Sequence, residues 1–367
     1  MPSDAYLPAI PGDVVVTGAA GFIGSHLVSA LRHSGRNVTG VDRRDMSVHT
    51  ESGPAPGEGA FEARTGDLAT MDLGSCLKGV DLVFHLAALP GVRPSWTEFP
   101  EYLHCNVLAT QRLLDACVQA GVGRVVMASS SSVYGGAGGA MHEGMLPRPS
   151  SPYGVTKLAA ERLALAFAAR RDTALSVAAL RFFTVYGPGQ RPDMFISRMI
   201  RAVLLGRPVE VYGDGTQIRD FVYVEDVVRA LLLAAAPGRP PGDRATDHRA
   251  TDHRPVGDRA GNDPAADDVR AEVLNVGTGS SVSLNRLLEL TAELTGLRPD
   301  ARYGPTRLGD VDATTADPAR TRERLGFRPA TDLRTGLAAQ IEWTRRRLDP
   351  AHRPDPALGG TATGRRA

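Results

Sequence analysis

Lysine is almost missing from this chain. Of 42 basic residues in 367, only Lys78 and Lys157 are lysines, and arginine supplies the rest. A lysine kept where arginine is the habit suggests that a compact point charge is wanted. Cysteine is scarce too. Cys76, Cys105 and Cys117 are odd in number and have no metal-ligand spacing, which argues against a disulfide framework or a metal site and predicts reduced, buried thiols in a cytoplasmic protein. Excess charge of either sign is absent: the formal balance is +1 at pH 7, giving no case for a nucleic-acid or membrane-surface partner. No apolar run reaches the ~18 residues of a membrane span. The opening MPSDAYLPAIPGD lacks the charged-then-apolar order of a secretion signal.

What is present begins with Asp13-VVVTGAAGFIGSHLVSALRHSG, a β-branched strand, a glycine turn and an amphipathic helix. Gly18 permits the tight turn, Gly21 lets backbone approach a pyrophosphate, and Gly24 lets helix and strand pack closely. The free N–H groups of the helix start, around Phe22 and Ile23, suit phosphates. Asn37-VTGVD then ends at Asp42, about ~20 residues on, where a carboxylate hydrogen-bonds a ribose diol and disfavours a 2′-phosphate. Arg43 and Arg44 follow and leave NADP open beside the favoured NAD. A strand closing on Asp67-Leu68 offers a place for adenine, and Val80-DLVFHLAAL ends in Leu86, Ala87 and Ala88, small enough to border a cofactor crevice. His85 reads as a core residue. Helices are expected over Glu101–Gly121 and Tyr153–Arg171, with Gly123-RVVMASSSSVYG as the strand between. The βαβαβ alternation predicts an α/β fold built on a Rossmann-type doubly wound parallel sheet.

Ser151-PYGVTKLAAERLALAFAARR places Tyr153 and Lys157 four residues apart on one helix face. A free phenol ionises near pH ~10, and a cation held beside it favours the phenolate. Lys157 is expected to be that cation. Farther on come Leu175-SVAALRFFTVYGPG, a helix from Asp193 to Gly206, Val209-EVYGDG, and Arg219-DFVYVEDVVRALLLAAA. Residues 237–271 are nearly all Gly, Pro, Asp, Arg and Ala and repeat themselves as ATDHRATDHR, so they are expected to be a disordered insertion. The histidines of that repeat, His248 and His253, are read as products of repetition, and no metal is expected. Helices are expected over Ser283–Gly296 and Leu333–Arg346, and disorder over 349–367.

These motifs occur in one order, and the chain resembles the extended short-chain dehydrogenase/reductase family of NAD-dependent nucleotide-sugar epimerases and dehydratases. The likeness covers roughly Asp13 to Arg346. It implies an NAD domain over 12–184, rejoined at about 217–236 and 272–277, and a smaller C-terminal UDP-sugar domain over 185–216 and 278–346. It also implies a cytoplasmic homodimer. Carried over residue by residue, it makes Tyr153 and Lys157 catalytic, with the O4-sharing hydroxyl at Ser130 or a neighbouring serine. It adds Asn106, Ser129 and Phe182 to the cofactor wall. For substrate it implies Arg93, Ser130, Ser131, Ser132, Tyr153, Thr184, Arg191, Tyr212, Arg219, Arg307 and Asp310. Related dehydratases carry Asp-Glu where this chain has Ser131 and Ser132, and related decarboxylases keep the Glu, so elimination and assisted decarboxylation lose their proton handlers. Simple 4-epimerisation remains. The runs ALRFFTVYGPGQRPDMF, ASSSSVYG and AALPGVRPSW are most similar to UDP-glucuronate 4-epimerases, including those of moenomycin-type antibiotic pathways. The alternatives are a UDP-glucose or UDP-N-acetylglucosamine 4-epimerase, a UDP-glucuronate decarboxylase, and a non-catalytic NAD-binding protein.

Overall fold

The computed structural model describes residues 10, 12–46, 55–136, 139–236, 270–307 and 309–349. Most of the expected insertion and of the expected disordered tail therefore lies outside the described residues. Ala271, counted with the insertion, is already in a strand.

The strands in chain order are β1 Val14–Thr17, β2 Val38–Asp42, β3 Phe61–Thr65, β4 Leu82–His85, β5 Arg124–Ser130, β6 Ala140–Met141, β7 Ser176–Phe182, β8 Thr184–Tyr186, β9 Val209–Tyr212, β10 Ile218–Tyr223, β11 Ala271–Val276, β12 Ser281–Ser283, β13 Ala301–Gly304 and β14 Ala313–Ala316. Seven of them form one parallel sheet in the order β11-β7-β5-β4-β1-β2-β3. The helices are α1 Phe22–His33, α2 Gly74–Leu77, α3 Phe99–Tyr102, α4 Ala109–Ala120, α5 Pro152–Ala168, α6 Phe195–Leu204, α7 Val224–Ala235, α8 Leu284–Thr295, α9 Ala319–Leu325 and α10 Leu333–Leu348.

Side chains alternate across a strand, so a run such as Val14-Val15-Val16 feeds both faces of the sheet. Val14, Val16, Phe84, Ala178 and Leu180 pack with Leu27 and Leu31 of α1 and Leu231 of α7. Val15, Val83, Val125 and Val177 pack with Leu113 of α4 and Ala160 and Ala164 of α5. A third core joins α6, α8 and α10 over β9 and β10. The chain order reverses between β1 and β4, and the carboxyl ends flanking that switch point open a crevice. No helix among the described residues is long and apolar enough to cross a membrane.

Three expectations are corrected. The return at 217–236 is split: α7 packs on the large sheet, whereas β10 pairs with β12, β14 and β8 in a second sheet. β10 can do this because Val222 points into the first core while Phe221 and Tyr223 point into the third. The span 12–184 is not wholly in the large sheet either, since β6 within it lends an edge to the same second sheet. The helix expected over Glu101–Gly121 opens into wide π-type turns at Leu103–Leu108 before resuming as α4.

Candidate active site

The crevice is a cavity of about 790 Å³ that runs from the glycine turn after β1 to the second sheet. Gly18 has φ +73°, and a Cβ there would meet Ala87 N at 2.7 Å, so glycine is required by conformation and by the approach of the β4 end. At the tip of β2, Asp42 Oδ2 accepts from Ala20 N (3.0 Å) and Oδ1 from Arg44 N (3.0 Å). Arg44 folds back on Asp42, with Nε 3.4 Å from Oδ1, and Arg43 pairs with Glu101 (2.8 Å) and lies 3.7 Å from Asp67. A 2′-phosphate would meet three carboxylates here, whereas a ribose diol meets an acceptor. The turn and the donor set therefore fit NAD.

The serine run and the Tyr-Lys helix meet at the middle of the cavity. Ser151 caps α5, its Oγ accepting from Gly154 N (3.1 Å), and Pro152 occupies the first turn. A Cβ on Gly154 would fall 2.6 Å from Ser132 O, so only glycine lets the helix start close on the serine turn. Ser130 Oγ accepts from Ser132 N (3.1 Å) and is hydrogen-bonded to the phenol of Tyr153. Burial raises the Tyr153 pKa on balance, opposed first by that bond and then by the Arg191 charge. Arg191 therefore adds a cation to the setting of Tyr153, and Lys157 lines the same cavity. Lys157 is buried and pushed down to about 8 by desolvation, with Glu161 opposing. Its charge also bears on His85, which desolvation pushes down to about 3.

Behind these groups lies a polar network with no counterpart in the sequence expectations. Glu161, one turn beyond Lys157, accepts from Arg181 Nη2 (2.6 Å), Arg181 Nε (2.9 Å) and Ser129 Oγ (2.7 Å). Arg181 Nη1 donates to Tyr134 OH (2.8 Å), which donates to Asn275 Oδ1 (2.7 Å). Burial alone would lower the Arg181 pKa, but the bonds and charge of Glu161 outweigh it and raise the value. His85 is a core residue as expected: Nδ1 and Nε2 sit 2.8 and 2.9 Å from Thr17 and Thr110 Oγ1. Thr110 Oγ1 donates to Asn106 O (2.7 Å), so it accepts from Nε2–H, which assigns the tautomer.

At the far end the ring of Tyr212 lies among guanidiniums, with Arg307 at 4.1 Å, Arg93 at 4.5 Å and Arg198 at 5.5 Å from its centroid. Arg93 pairs with Asp310 (3.0 Å) and Arg198 with Glu210 (3.5 Å). Arg219 donates from Nη1 to Ile218 O (2.8 Å), and burial lowers its pKa against the pull of Asp310 and Asp312. Arg191 forks onto Asp193, Nε to Oδ1 at 2.9 Å and Nη2 to Oδ2 at 2.6 Å.

Every residue expected at the site lines this one cavity except two. Asn106 is buried and consumed by structure: Oδ1 accepts from Leu89 N (2.6 Å), and Nδ2 donates to Leu89 O (3.1 Å) and Thr156 Oγ1 (3.0 Å). It shapes the wall after β4 from behind. Arg307 is exposed and stacks on Tyr212 without joining the lining. The lining also holds Asp193, Arg198 and Gln217, which were not anticipated. Asp193 alone had a signal, its place two residues from Arg191.

The profile of the NAD dependent epimerase/dehydratase family matches residues 14–244. A solved structure of MoeE5 with UDP-glucose and NAD is 62% identical, covers 92% of this chain and 100% of its own, and superposes with TM-score 0.79. MoeE5 has also been solved with UDP-glucuronic acid and NAD, at 63% identity and TM-score 0.78, covering 91% of this chain and 99% of its own. The UDP-glucuronic acid 4-epimerase of Bacillus cereus, solved with UDP-glucuronic acid and NAD, is 32% identical with TM-score 0.76, covering 91% of this chain and 99% of its own. An uncharacterized UDP-glucose epimerase of Bacillus subtilis (strain 168), YtcB, is 36% identical over 90% of this chain and 97% of its own length.

Proposed function

The chain belongs to the NAD dependent epimerase/dehydratase family, and from that membership we propose that it is a UDP-glucuronate 4-epimerase, interconverting UDP-glucuronate and UDP-galacturonate. The observation that carries this is the setting of Tyr153. Its phenol is acted on first by the Ser130 hydroxyl and then by the charge of Arg191, and Ser131 and Ser132, which line the same cavity, supply no ionisable group.

The chemistry NAD would supply when bound is that of a hydride acceptor and donor toward substrate C4. Tyr153 takes the proton of the C4 hydroxyl, with Ser130 sharing the hydrogen bond, so the O4–H hydrogen leaves as a proton, the C4–H hydrogen as a hydride, and a 4-keto sugar remains. Lys157, Glu161 and Arg181 hold the charge balance behind the tyrosine. Arg219 holds the diphosphate while the 4-keto ring turns over, and Tyr212 borders the uracil. Tyr153 then gives the proton back to O4 of the turned ring, whose opposite C4 face is presented for return of the hydride, so the cofactor is not consumed. The intermediate from glucuronate is a β-keto acid, which keeps its carboxyl group only if the carboxylate is held out of line with the carbonyl. Arg191, Thr184, Ser131 and Ser132 serve that purpose, and a decarboxylase reading lacks its acid–base residue.

A neutral substrate, UDP-glucose, is the second reading, favoured by one observation: Arg191 is already neutralised by Asp193. Both readings share the finer proposals of a cytoplasmic homodimer and an antibiotic pathway. The half-exposed Leu103, Leu108 and Val155 on the π-type turns and α5 suit a second copy of the chain. Incubating the purified protein with UDP-glucuronate and separating the products tests the assignment. UDP-galacturonate is expected; a UDP-pentose, or turnover of UDP-glucose alone, would overturn it.

A further inference from the structure

Arg191, the group assigned to the substrate carboxylate, brings an anion of its own. Its loop is pinned by buried amides. Gln190 Nε2 donates to Val185 O (2.9 Å), Gln340 Nε2 donates to Gln190 Oε1 (3.0 Å), and Gly187 N donates to Gln340 Oε1 (2.9 Å). On that fixed loop Asp193 takes Nε and one Nη2 hydrogen of Arg191 in a side-on fork, at 2.9 and 2.6 Å. A guanidinium has five N–H donors, so the end of the fork points away from Asp193, with Nη2 also 4.0 Å from the weak acceptor Met194 Sδ and both hydrogens of Nη1 left for a ligand. Both side chains line the cavity, and the charge of Arg191 reaches Tyr153. The Asp193 side chain is 62% exposed against 31% for Arg191. An amide at 193 therefore leaves no deeply buried charge unpaired, and its effects are read in the pocket more than in folding.

We propose that Asp193 sets the balance between acidic and neutral sugars by presenting Arg191 to the substrate as an ion pair instead of a bare cation. An incoming carboxylate finds the free end of the guanidinium but is repelled by the anion behind it. A neutral hydroxymethyl group meets a cation that has already exchanged water for Asp193, so less hydration is lost on binding. The pair thereby admits both kinds of sugar, where an unpaired arginine would select the acid. This rests on the assignment of Arg191 to the C5 substituent made above.

The test is titration calorimetry on NAD-loaded wild type and Asp193→Asn, with UDP-glucuronate, UDP-glucose and UDP. The variant keeps the size of the side chain and a hydrogen-bond acceptor. The ratio of the two sugar dissociation constants is expected to shift about tenfold toward UDP-glucuronate, the scale of one charge at a partly exposed site. UDP itself should bind as before, and the shift should shrink as salt rises, because the aspartate is accessible to ions. A merely structural role would weaken both sugars alike and leave the ratio unchanged, which would overturn the proposal. A shift toward UDP-glucose would overturn it too, by showing that Asp193 only aims the fork. Wild-type turnover of UDP-glucuronate is measured separately. Its absence would defeat the epimerase assignment, whereas the binding ratio is decided by Asp193.

Discussion

Glu161→Gln is the perturbation that tests the buried network most sharply. Glu161 and Arg181 have side chains 0% and 1% exposed and share two hydrogen bonds of 2.6 and 2.9 Å. The amide keeps the shape and an acceptor but leaves a guanidinium uncompensated in the interior. Breaking such a pair from one side costs about 3–5 kcal/mol. For roughly 300 folded residues the entropy of unfolding at ~2.1 cal/mol/K per residue gives ~0.6 kcal/mol/K, so the melting temperature should fall by about 5–8 °C. The double variant Glu161→Gln with Arg181→Met removes both charges and should recover much of that loss, because two well-packed neutral groups replace the pair. A second readout follows from Lys157, which burial holds down to about 8 against the charge of Glu161. A charged Lys157 is lost as pH rises through its pKa, so the high-pH limb of kcat should move to lower pH in Glu161→Gln. Calorimetric melting and a pH–rate profile measure the two effects. A variant as stable as wild type with an unmoved limb would refute the reasoning.

Other outcomes follow from single contacts. Tyr153→Phe should fold and bind NAD but lose epimerisation by at least ~100-fold in a product assay. Arg191→Ala should weaken UDP-glucuronate by about tenfold to hundredfold, the worth of one charge-assisted hydrogen bond, leave UDP binding unaltered, and release some UDP-4-keto-pentose detectable by mass spectrometry. Nucleotide released by denaturing the purified protein should be NAD, because the carboxylates of Asp42, Asp67 and Glu101 face both arginines that could accept a 2′-phosphate. His85, depressed to about 3 when folded, cannot take the proton that the unfolded chain binds below its ordinary value near 6.5. Folding stability should therefore fall as pH drops through that window, by about 2 kcal/mol at pH 5 from this group. Denaturant unfolding of wild type against His85→Gln isolates the term.

The sequence alone determined what depends on local chemistry and period. The glycine turn after β1, the Ser151-Pro152 helix start that puts Tyr153 and Lys157 on one face, and the alternating strands are written within short windows, where backbone conformation and side-chain spacing decide. Almost every expected site residue was found on the wall of one cavity for that reason. What only tertiary structure decided involves partners far apart in the chain. The charge of Arg191, 38 residues on, is brought to bear on Tyr153. Asn106, placed at the cofactor by resemblance, spends its amide on Leu89 and Thr156. β10 joins the second sheet because its two faces feed two cores. Glu161 and Arg181 look like ordinary surface charges in a helix and a strand, yet they meet in the interior. A charge can be buried only where the fold brings an opposite charge within hydrogen-bond reach, and that reach is set by packing.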